Sequence, residues 1–267
     1  MPRPSNQRVR HALQRWSLEA GQPFPQAAHN DVVPVEDPAG YSAVLKVAPP
    51  GDSLVNEIAA LQVYGGNGAV QFLKSAPDAS ALLVEAATPG TPLADHPSPD
   101  ESLEIAARAM RRLWYPDLDL SHPFPTLADW CGALDDRDSP IPEDIRARAT
   151  DCFAELDATK ECQFLLHGDF HHFNVLRATR DDWLVIDPKG VLGDPAYEPA
   201  TFLRNHLEIH GGRPDTHIAT LAGLLDLDPN RIRDYAFVHC VLSATWSAQD
   251  GHDSWLPTLE LAERFAR

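Results

Sequence analysis

Short apolar runs separated by turns fill the first third of the chain, a pattern that predicts β-strands. The run Tyr41–Val47 is rich in apolar residues and stops at a Pro-Pro-Gly turn. After it, Leu54, Ile58 and Leu61 recur at helical spacing, on one face of a predicted helix that ends at two glycines. Two further short strands follow that helix. Residues 30–87 therefore predict the order β-β-α-β-β.

Helical periodicity dominates the remainder of the chain. A Ser-x-x-Glu capping box, Ser98 to Glu101, predicts where the first helix of this part begins. Further helices are predicted over residues 126–136, 142–159, 198–210, 214–226, 230–248 and 255–266. We therefore expect an α+β protein of two lobes, sheet-rich over residues 1–87 and helical over residues 88–267, with a hinge at about residues 85–90.

The segment LLHGDFHHFNVL, residues 165–176, lies between two of these predicted helices. Apolar residues at both of its ends enclose three histidines, an aspartate and an asparagine. On a strand, His167, Asp169 and His171 would share one face, as the ligands of a metal cage do. The patterns H-E-x-x-H and H-x-H-x-D-H, which are typical of metal-dependent hydrolases, do not occur in the sequence. A metal hydrolase therefore stays an alternative.

Asp169, Asn174 and Asp187 form a different pattern. Asn174 follows Asp169 by five residues, and Asp187 ends the apolar strand WLVID. Phosphoryl-transfer enzymes use this arrangement: the first aspartate orients the proton of an attacking hydroxyl, and the other two side chains hold Mg²⁺ through oxygen. In this interpretation His167 braces the loop by hydrogen bonding. The alternative is a strand–turn–strand whose polar residues have no chemical role.

A second pair of candidate residues lies upstream of this loop. Lys46 comes near the end of a predicted strand, and Glu57 lies on the helix that follows. A lysine ammonium can reach phosphate oxygens, and a helical glutamate can aim it. Each residue alone is more simply explained as an ordinary strand or surface side chain. Together, in a β-β-α-β-β lobe ahead of the two aspartates, they favour a nucleotide-dependent phosphotransferase.

Composition narrows the choice of partners. The 267 residues carry a net charge of −17, with a pI near 5.0, so the chain lacks the basic surface that nucleic-acid binding requires. This acidity fits a cationic substrate, and it also fits a protein that is simply kept soluble. The four cysteines are scattered, and no run approaches the ~18 apolar residues of a membrane span. We expect a cytoplasmic protein with neither a nucleic-acid nor a membrane partner.

Four segments carry a resemblance to a known family: HGDFHHFNVL, VIDPKGVLGDPAYEPA, SAVLKV…NEIAAL and LLVEAATPGTPL. They resemble the aminoglycoside phosphotransferases, and specifically the streptomycin/hydroxyurea kinase branch, over residues 40–210. The motif most specific to this branch is IDPKG followed by GDPAYE. The motif HGD…N is shared with choline and fructosamine kinases. The resemblance implies a protein-kinase-like fold, with a small, mostly antiparallel nucleotide-binding lobe and a larger helical lobe that is catalytic and binds the acceptor.

The resemblance also assigns roles at matching positions. It implies that Asp169 is the catalytic aspartate and that Asn174 and Asp187 bind Mg²⁺. Lys189, close behind Asp187, either adds positive charge near the phosphates or pairs with a neighbouring carboxylate.

In the N-terminal lobe the resemblance implies that Lys46 contacts the phosphates of ATP and that Glu57 pairs with Lys46. The backbone of the hinge segment Glu85–Ala87 would contact the adenine. One feature departs from protein kinases: no G-x-G-x-x-G precedes the Lys46 strand, and the stretch GQPFPQAAHNDVVPVEDPAGY stands in its place. The phosphate-loop contacts therefore stay unassigned.

Acidic residues in the helical part are candidates for binding a cationic acceptor, namely Glu198, Asp135, Asp136 and Asp250. Alternatively, each of these four carboxylates faces solvent and has no role in binding. Asp194 lies in a Gly-Asp-Pro turn and is expected to be structural. We predict an ATP- and Mg²⁺-dependent O-phosphotransferase acting on a small, hydroxylated, cationic molecule such as a streptomycin-like aminoglycoside. The alternatives are a metabolic kinase for a sugar, a choline-like compound or a nucleoside, and a nucleotide-binding pseudokinase.

Overall fold

A computed structural model describes residues 7–22, 30–114, 123–252 and 255–266. Residues 23–29, part of the stretch that stands in place of a glycine-rich loop, lie outside the described residues. Contacts divide the chain into two compact units. The first contains the chain up to Thr91 together with Leu176–Ile186, and the second contains Pro92–Val175 together with Asp187 onward.

The first unit is built on an antiparallel sheet of five strands in the order β1-β2-β3-β5-β4. Its elements are α1 (Gln7–Trp16), β1 (Glu19–Ala20), β2 (Asp31–Glu36), β3 (Ser42–Val47), α2 (Val55–Tyr64), β4 (Phe72–Ser75) and β5 (Ala81–Glu85). The predicted order β-β-α-β-β is confirmed by β2, β3, α2, β4 and β5. Val33, Leu45 and Leu83 form part of the core beneath the sheet, and Val9 of α1 packs into the same core.

Both ends of α2 follow the local sequence. Gly65 takes a left-handed conformation, with φ of 56°, and its N–H donates to the carbonyl of Leu61, which ends the helix as the two glycines predict. At the other end the Ser53 hydroxyl accepts the N–H of Val55 at 3.2 Å. The cap position itself is occupied by Leu54, so the contribution of Ser53 comes from one residue earlier than the usual cap.

A hairpin from later in the chain also belongs to the first unit. Its strands β8 (Val175–Ala178) and β9 (Trp183–Val185) form a three-stranded sheet with β6 (Pro89–Pro92). Arg180, in the turn of the hairpin, donates hydrogen bonds to the Glu85 carboxylate at 2.8 and 2.9 Å. The same guanidinium donates to the carbonyls of Gly66 and Ala69. These contacts group the hairpin with the N-terminal sheet, although it follows many helical residues in the sequence.

The second unit is mostly helical, as its periodicity predicts. Its helices are α3 (Pro99–Leu113), α4 (Leu127–Cys131), α5 (Glu143–Ala158), α6 (Tyr197–His210), α7 (Pro214–Leu225), α8 (Pro229–Gln249) and α9 (Trp255–Phe265). The helix predicted over residues 126–136 is a short α-helix followed by a 3₁₀ turn, Gly132–Asp135. No described helix is both long enough and apolar enough to cross a membrane.

The core of the second unit centres on α8. This helix packs against α5, α6 and α9, and buries residues all around its circumference, from Ile232 to Thr245. Beside the helices, β7 (Phe164–Leu166) pairs antiparallel with β10 (Val191–Gly193). The strand β10 was not predicted, because its three residues are too few to show an alternating pattern. This short pair positions the polar loop described below.

Candidate active site

The β7–β10 pair brings two polar segments of the second unit side by side. β7 leads directly into His167, Gly168 and Asp169, while Asp187 and Lys189 come just before β10. The backbone carbonyl of His167 accepts the N–H of Lys189 at 2.8 Å, which joins the two segments. The His167 side chain is fully buried, and its Nδ1 accepts the N–H of Asp169 at 3.2 Å. His167 therefore braces the loop by hydrogen bonding, as the sequence predicts.

Gly168 is required by the shape of this loop. Its φ is +83°, in the left-handed region that side chains disfavour. A Cβ at this position would lie 2.6 Å from the Trp130 ring and 2.9 Å from the Val191 side chain. The backbone of the loop therefore runs directly against Trp130, which no larger residue at position 168 would permit.

The Asp169 carboxylate is partly exposed and surrounded by basic groups. His171 Nε2 lies 3.7 Å from one of its oxygens, and Lys189 Nζ lies 3.7 Å from the other. Burial alone would raise the pKa of Asp169, but the positive charges of His171, Lys189 and His167 outweigh it, so the net pKa lies below the usual range. Asp169 is therefore an ionised hydrogen-bond acceptor at neutral pH.

Asn174 is held in one orientation by the same loop. It lies in a 3₁₀ turn, His172–Asn174, and its Nδ2 donates to the backbone carbonyl of Asp169 at 2.9 Å. Since the amide nitrogen is engaged in this way, the side chain presents its oxygen on the other side. An amide oxygen suits a hard cation such as Mg²⁺.

Asp187 lies beside Asp169, with Lys189 as their common neighbour. Lys189 Nζ is 3.1 Å from an Asp187 oxygen and 3.7 Å from an Asp169 oxygen. Lys189 therefore pairs with neighbouring carboxylates, one of the two roles predicted for it. The backbone of Asp187 has φ of +59°, a conformation that costs a non-glycine residue about 1–3 kcal/mol and tends to occur at functional sites. The structure thus brings Asp169, Asn174 and Asp187 into one loop cluster.

One face of α6 fixes this loop from behind. The Glu198 carboxylate accepts the backbone N–H groups of His167 and Gly168, at 3.0 and 2.9 Å. Three residues further on, the Thr201 hydroxyl donates to the Phe170 carbonyl at 3.1 Å. The next residue on the same face is Asn205, whose Oδ1 accepts the N–H of His172 at 3.2 Å. The helix therefore holds the backbone of the loop at successive points.

This geometry corrects the expectation that Glu198 binds the acceptor. Its side chain is fully buried, and each carboxylate oxygen already accepts a backbone N–H, so Glu198 positions the loop instead. Thr201 and Asn205 were missed. The signal that could have found them is the spacing i, i+3, i+7 of three polar residues on one helical face, immediately after the GDPAY turn.

Asp194 is structural, as expected from its Gly-Asp-Pro turn. Its carboxylate is buried, accepts the N–H of Ala196 at 2.8 Å, and forms an ion pair with Arg231 of α8. The Arg231 guanidinium also donates to the carbonyl of Leu156. This network joins the turn before α6 to two other helices.

The other predicted acceptor residues lie at the C-terminal end of α8. Asp250 is exposed there, and the neighbouring Gln249 donates to the Asp136 carboxylate at 2.9 Å. Asp135, next to Asp136, is also exposed. Trp246, one turn earlier on α8, packs edge-to-face against Trp130 with ring centroids 5.6 Å apart, and Trp130 in turn contacts Gly168. Trp246 and Trp130 therefore connect the loop that carries Asp169 to the end of α8 at which these acidic residues lie.

In the first unit, Lys46 and Glu57 form a buried ion pair. Lys46 Nζ lies 2.7 Å from a Glu57 oxygen, and less than a tenth of either residue's surface is exposed. Glu85 ends β5, Ala86 and Ala87 follow it, and all three residues are half-buried. Lys46 thus lies on β3, Glu57 on α2, and Glu85–Ala87 at the end of β5 and just beyond it.

The metal cage considered for His167, Asp169 and His171 does not form. After β7 these residues lie in a loop and not on a strand, so they do not share one face. Among the described residues, one group of three metal-ligating side chains brings its ligand atoms within 4.8 Å of one another, namely His172, His206 and His210. The arrangement at Asp169 is therefore that of oxygen donors with flanking bases.

Known proteins are similar to this chain over most of its length. The aminoglycoside/hydroxyurea antibiotic resistance kinase family matches residues 15–251. A hydroxyurea phosphotransferase of Kitasatospora aureofaciens is 29% identical over 96% of this chain and 76% of its own. A streptomycin 6-kinase of Streptomyces glaucescens is 27% identical over 91% of this chain and 83% of its own.

Solved structures show the same fold. The choline kinase LicA from Streptococcus pneumoniae matches with a TM-score of 0.73 and 14% sequence identity, over 98% of this chain and 99% of its own. Its complex with AMP matches with a TM-score of 0.72. The protein-kinase-like α+β fold implied by the sequence is thus confirmed.

Proposed function

Because the chain belongs to the aminoglycoside/hydroxyurea antibiotic resistance kinase family, we propose that it transfers the γ-phosphoryl group of ATP to a hydroxyl of a small cationic molecule of the aminoglycoside type. The chain is a small-molecule phosphotransferase, as its relatives are. The observation that carries the proposal is the loop in which an ionised Asp169 is placed beside Asn174 and Asp187.

Asp169 accepts the hydrogen bond of the acceptor hydroxyl and orients its oxygen for in-line attack. The basic groups around Asp169 keep its pKa low, so the carboxylate is ready to accept at neutral pH. Its exposed oxygens give the hydroxyl access, and Glu198 fixes the backbone of the loop on the buried side. Positioning of the reacting groups and stabilisation of their charge account for most of the catalysis of phosphoryl transfer by a protein.

Asn174 and Asp187 would hold Mg²⁺. The donor set fits, since both side chains offer oxygen and the Asn174 amide is fixed with its nitrogen turned toward the Asp169 carbonyl. When bound, the ion neutralises charge on the phosphate oxygens of the nucleotide. Lys189 balances the two carboxylates and adds a positive charge beside them.

Lys46 contacts the α- and β-phosphates of ATP, and the Glu57 carboxylate orients the Lys46 ammonium toward them. What supports this is the buried 2.7 Å ion pair, in which the Glu57 carboxylate fixes the position of the Lys46 ammonium. The backbone of Glu85–Ala87 contacts the adenine. This proposed contact is supported by the position of the segment at the end of β5, which is the position that the resemblance to the kinase family implies.

The acceptor binds at the acidic surface formed by Asp135, Asp136 and Asp250. Two of these carboxylates are exposed, and Trp246 and Trp130 connect the surface to the catalytic loop. An aminocyclitol that carries guanidinium or ammonium groups matches that charge. The names of the relatives, streptomycin 6-kinase and hydroxyurea phosphotransferase, set the first acceptors to test.

The experiment measures ATP consumption by the purified chain with streptomycin, hydroxyurea, choline, a hexose and a nucleoside, in Mg²⁺ or in EDTA. We expect turnover with streptomycin that EDTA abolishes. Turnover with hydroxyurea alone would overturn the cationic acceptor, and turnover with choline, the hexose or the nucleoside alone would indicate a metabolic kinase. No turnover with any acceptor would indicate a pseudokinase.

A further inference from the structure

Four histidine rings pack against one another in the second unit. His172 lies in the 3₁₀ turn, His206 and His210 are one turn apart on α6, and His217 is on α7. The ring centroids of His172 and His206 are 5.2 Å apart, and those of His206 and His210 are 4.8 Å apart. His217 packs edge-to-face on His206 at 4.7 Å. The proposed function uses none of these side chains.

These rings leave buried nitrogens without partners. Among the described residues, a nitrogen with no hydrogen-bond partner is buried in each of the four rings: Nδ1 of His172, and Nε2 of His206, His210 and His217. Buried polar atoms in proteins are nearly always paired, and an unpaired one in a native structure calls for an ion, a water or a specific role. Four in a single cluster mean that the described protein groups alone do not satisfy these rings, and the unpartnered Nε2 of His210 is available to a ligand.

The geometry of three of the rings suits a metal ion. His172, His206 and His210 each offer one ligand nitrogen, and the three nitrogens all lie within 4.8 Å of one another. Zn–N bonds of about 2.0–2.1 Å in a tetrahedron require nitrogens about 3.3 Å apart. Nε2 of His172 and Nδ1 of His206 lie 3.1 Å apart in a hydrogen bond, and an ion bound between these two nitrogens would replace that bond. The i, i+4 spacing of His206 and His210 places both on one face of α6.

The chemistry of the cluster selects the metal. Imidazole nitrogens suit Zn²⁺ and similar ions, whereas Mg²⁺ prefers oxygen. Burial, aided by the neighbouring histidines, lowers the pKa of both His172 and His206 to about 3, so these rings are neutral at neutral pH. Phe202 stacks on His172 with ring centroids 4.1 Å apart and gives the site an apolar wall.

We propose that His172, His206 and His210 bind one Zn²⁺, which ties the turn that carries Asn174 to α6. This site is separate from the oxygen donors of the phosphotransferase, and it stands whether or not the acceptor of that reaction is an aminoglycoside. Its role is structural, because it joins two elements that both shape the catalytic loop.

The first test measures zinc bound by the purified chain after dialysis against Zn²⁺ with millimolar Mg²⁺ present to occupy the carboxylates. Elemental analysis should give one zinc per chain, and Co²⁺ in its place should give the visible absorption of four-coordinate cobalt. Histidine ring NMR signals should shift when zinc is added. Protein that retains no zinc, with unchanged histidine signals, would overturn the proposal without any variant being made.

The second test compares matched variants. His210→Gln removes one ligand at a half-buried position and should weaken zinc binding at least about tenfold. His11→Gln, on the exposed face of α1, and Asp187→Asn should both leave zinc binding unchanged. The midpoint of thermal unfolding should rise with zinc in the wild type and in both controls but not in His210→Gln. Zinc binding that Asp187→Asn abolishes, or that His210→Gln leaves intact, would contradict the site.

Discussion

At the scale of single residues, the most informative side chain is Glu198. A carboxylate with no exposed surface accepts two consecutive backbone N–H groups from the catalytic loop. Burial raises its pKa to about 7, with a further contribution from the charge of Asp169, and the two hydrogen bonds only partly oppose this shift. Glu198 is therefore a loop-positioning residue whose protonation is coupled to folding.

This coupling predicts the pH dependence of stability. The pKa of Glu198 is raised on folding from 4.5 to about 7, so between these values the folded chain binds a proton that the unfolded chain has lost. The free energy of unfolding that this group contributes is complete below pH 4.5 and is lost as pH rises through 7, on the order of 3 kcal/mol in total. The test measures the free energy of urea unfolding of the wild type and of Glu198→Gln between pH 4.5 and 8. Over this range the free energy should fall further in the wild type than in Glu198→Gln, because only the wild type has the Glu198 carboxyl group. Glu155→Gln, at an exposed position on α5, is the control. Parallel curves for the wild type and Glu198→Gln would contradict the assignment.

Some residues of the candidate site could be predicted from the sequence and others could not, for a physical reason. Asp169, Asn174 and Asp187 stand out in the sequence because their types and their order match those that phosphoryl transfer uses. The role of Glu198 depends on burial, which arises only when α6 packs against the loop. A carboxylate that follows a turn has the same local sequence whether it faces solvent or a backbone N–H.

At the scale of elements, the helices and most strands were predicted, including the apolar strand WLVID, but the strand β10 was not. The helices of the second unit and the strands around α2 have the repeats that burial of one face imposes. The strand β10 is only three residues long, and the β8–β9 hairpin follows the helical residues in sequence yet groups with the N-terminal sheet. That grouping depends on contacts between residues far apart in the chain, namely the backbone hydrogen bonds of Val185 with Gly68 and Val70 and the hydrogen bonds of Arg180.

Arg180 yields a prediction at this scale. One guanidinium spans the Glu85 carboxylate and the carbonyls of Gly66 and Ala69, which a lysine ammonium cannot do. Arg180→Lys should lower the free energy of unfolding by about 1–3 kcal/mol. Arg108→Lys, at an exposed 3.6 Å ion pair on α3, should change it by less than about 0.5 kcal/mol. Chemical denaturation measures both, and equal losses would show that the hairpin is not anchored by Arg180.

At the scale of the whole molecule, charge is the dominant property. A net charge of −17 attracts cations from a distance, and salt screens this attraction. We expect kcat/KM for streptomycin, at saturating ATP, to fall about tenfold between 0.01 and 1 M salt. Hydroxyurea, which is neutral, should show little change. Equal salt dependence for the two acceptors would mean that the acidity of the chain has no part in binding the acceptor.

The central claim is that Asp169 orients the acceptor hydroxyl for phosphoryl transfer from ATP, and the turnover of Asp169→Asn tests it most directly. With the acceptor that the wild type uses fastest, kcat should fall about 100- to 10,000-fold while ATP binding is mostly retained. Asp144→Asn, at an exposed position on α5, should match the wild type. Near-normal turnover in Asp169→Asn would contradict the claim.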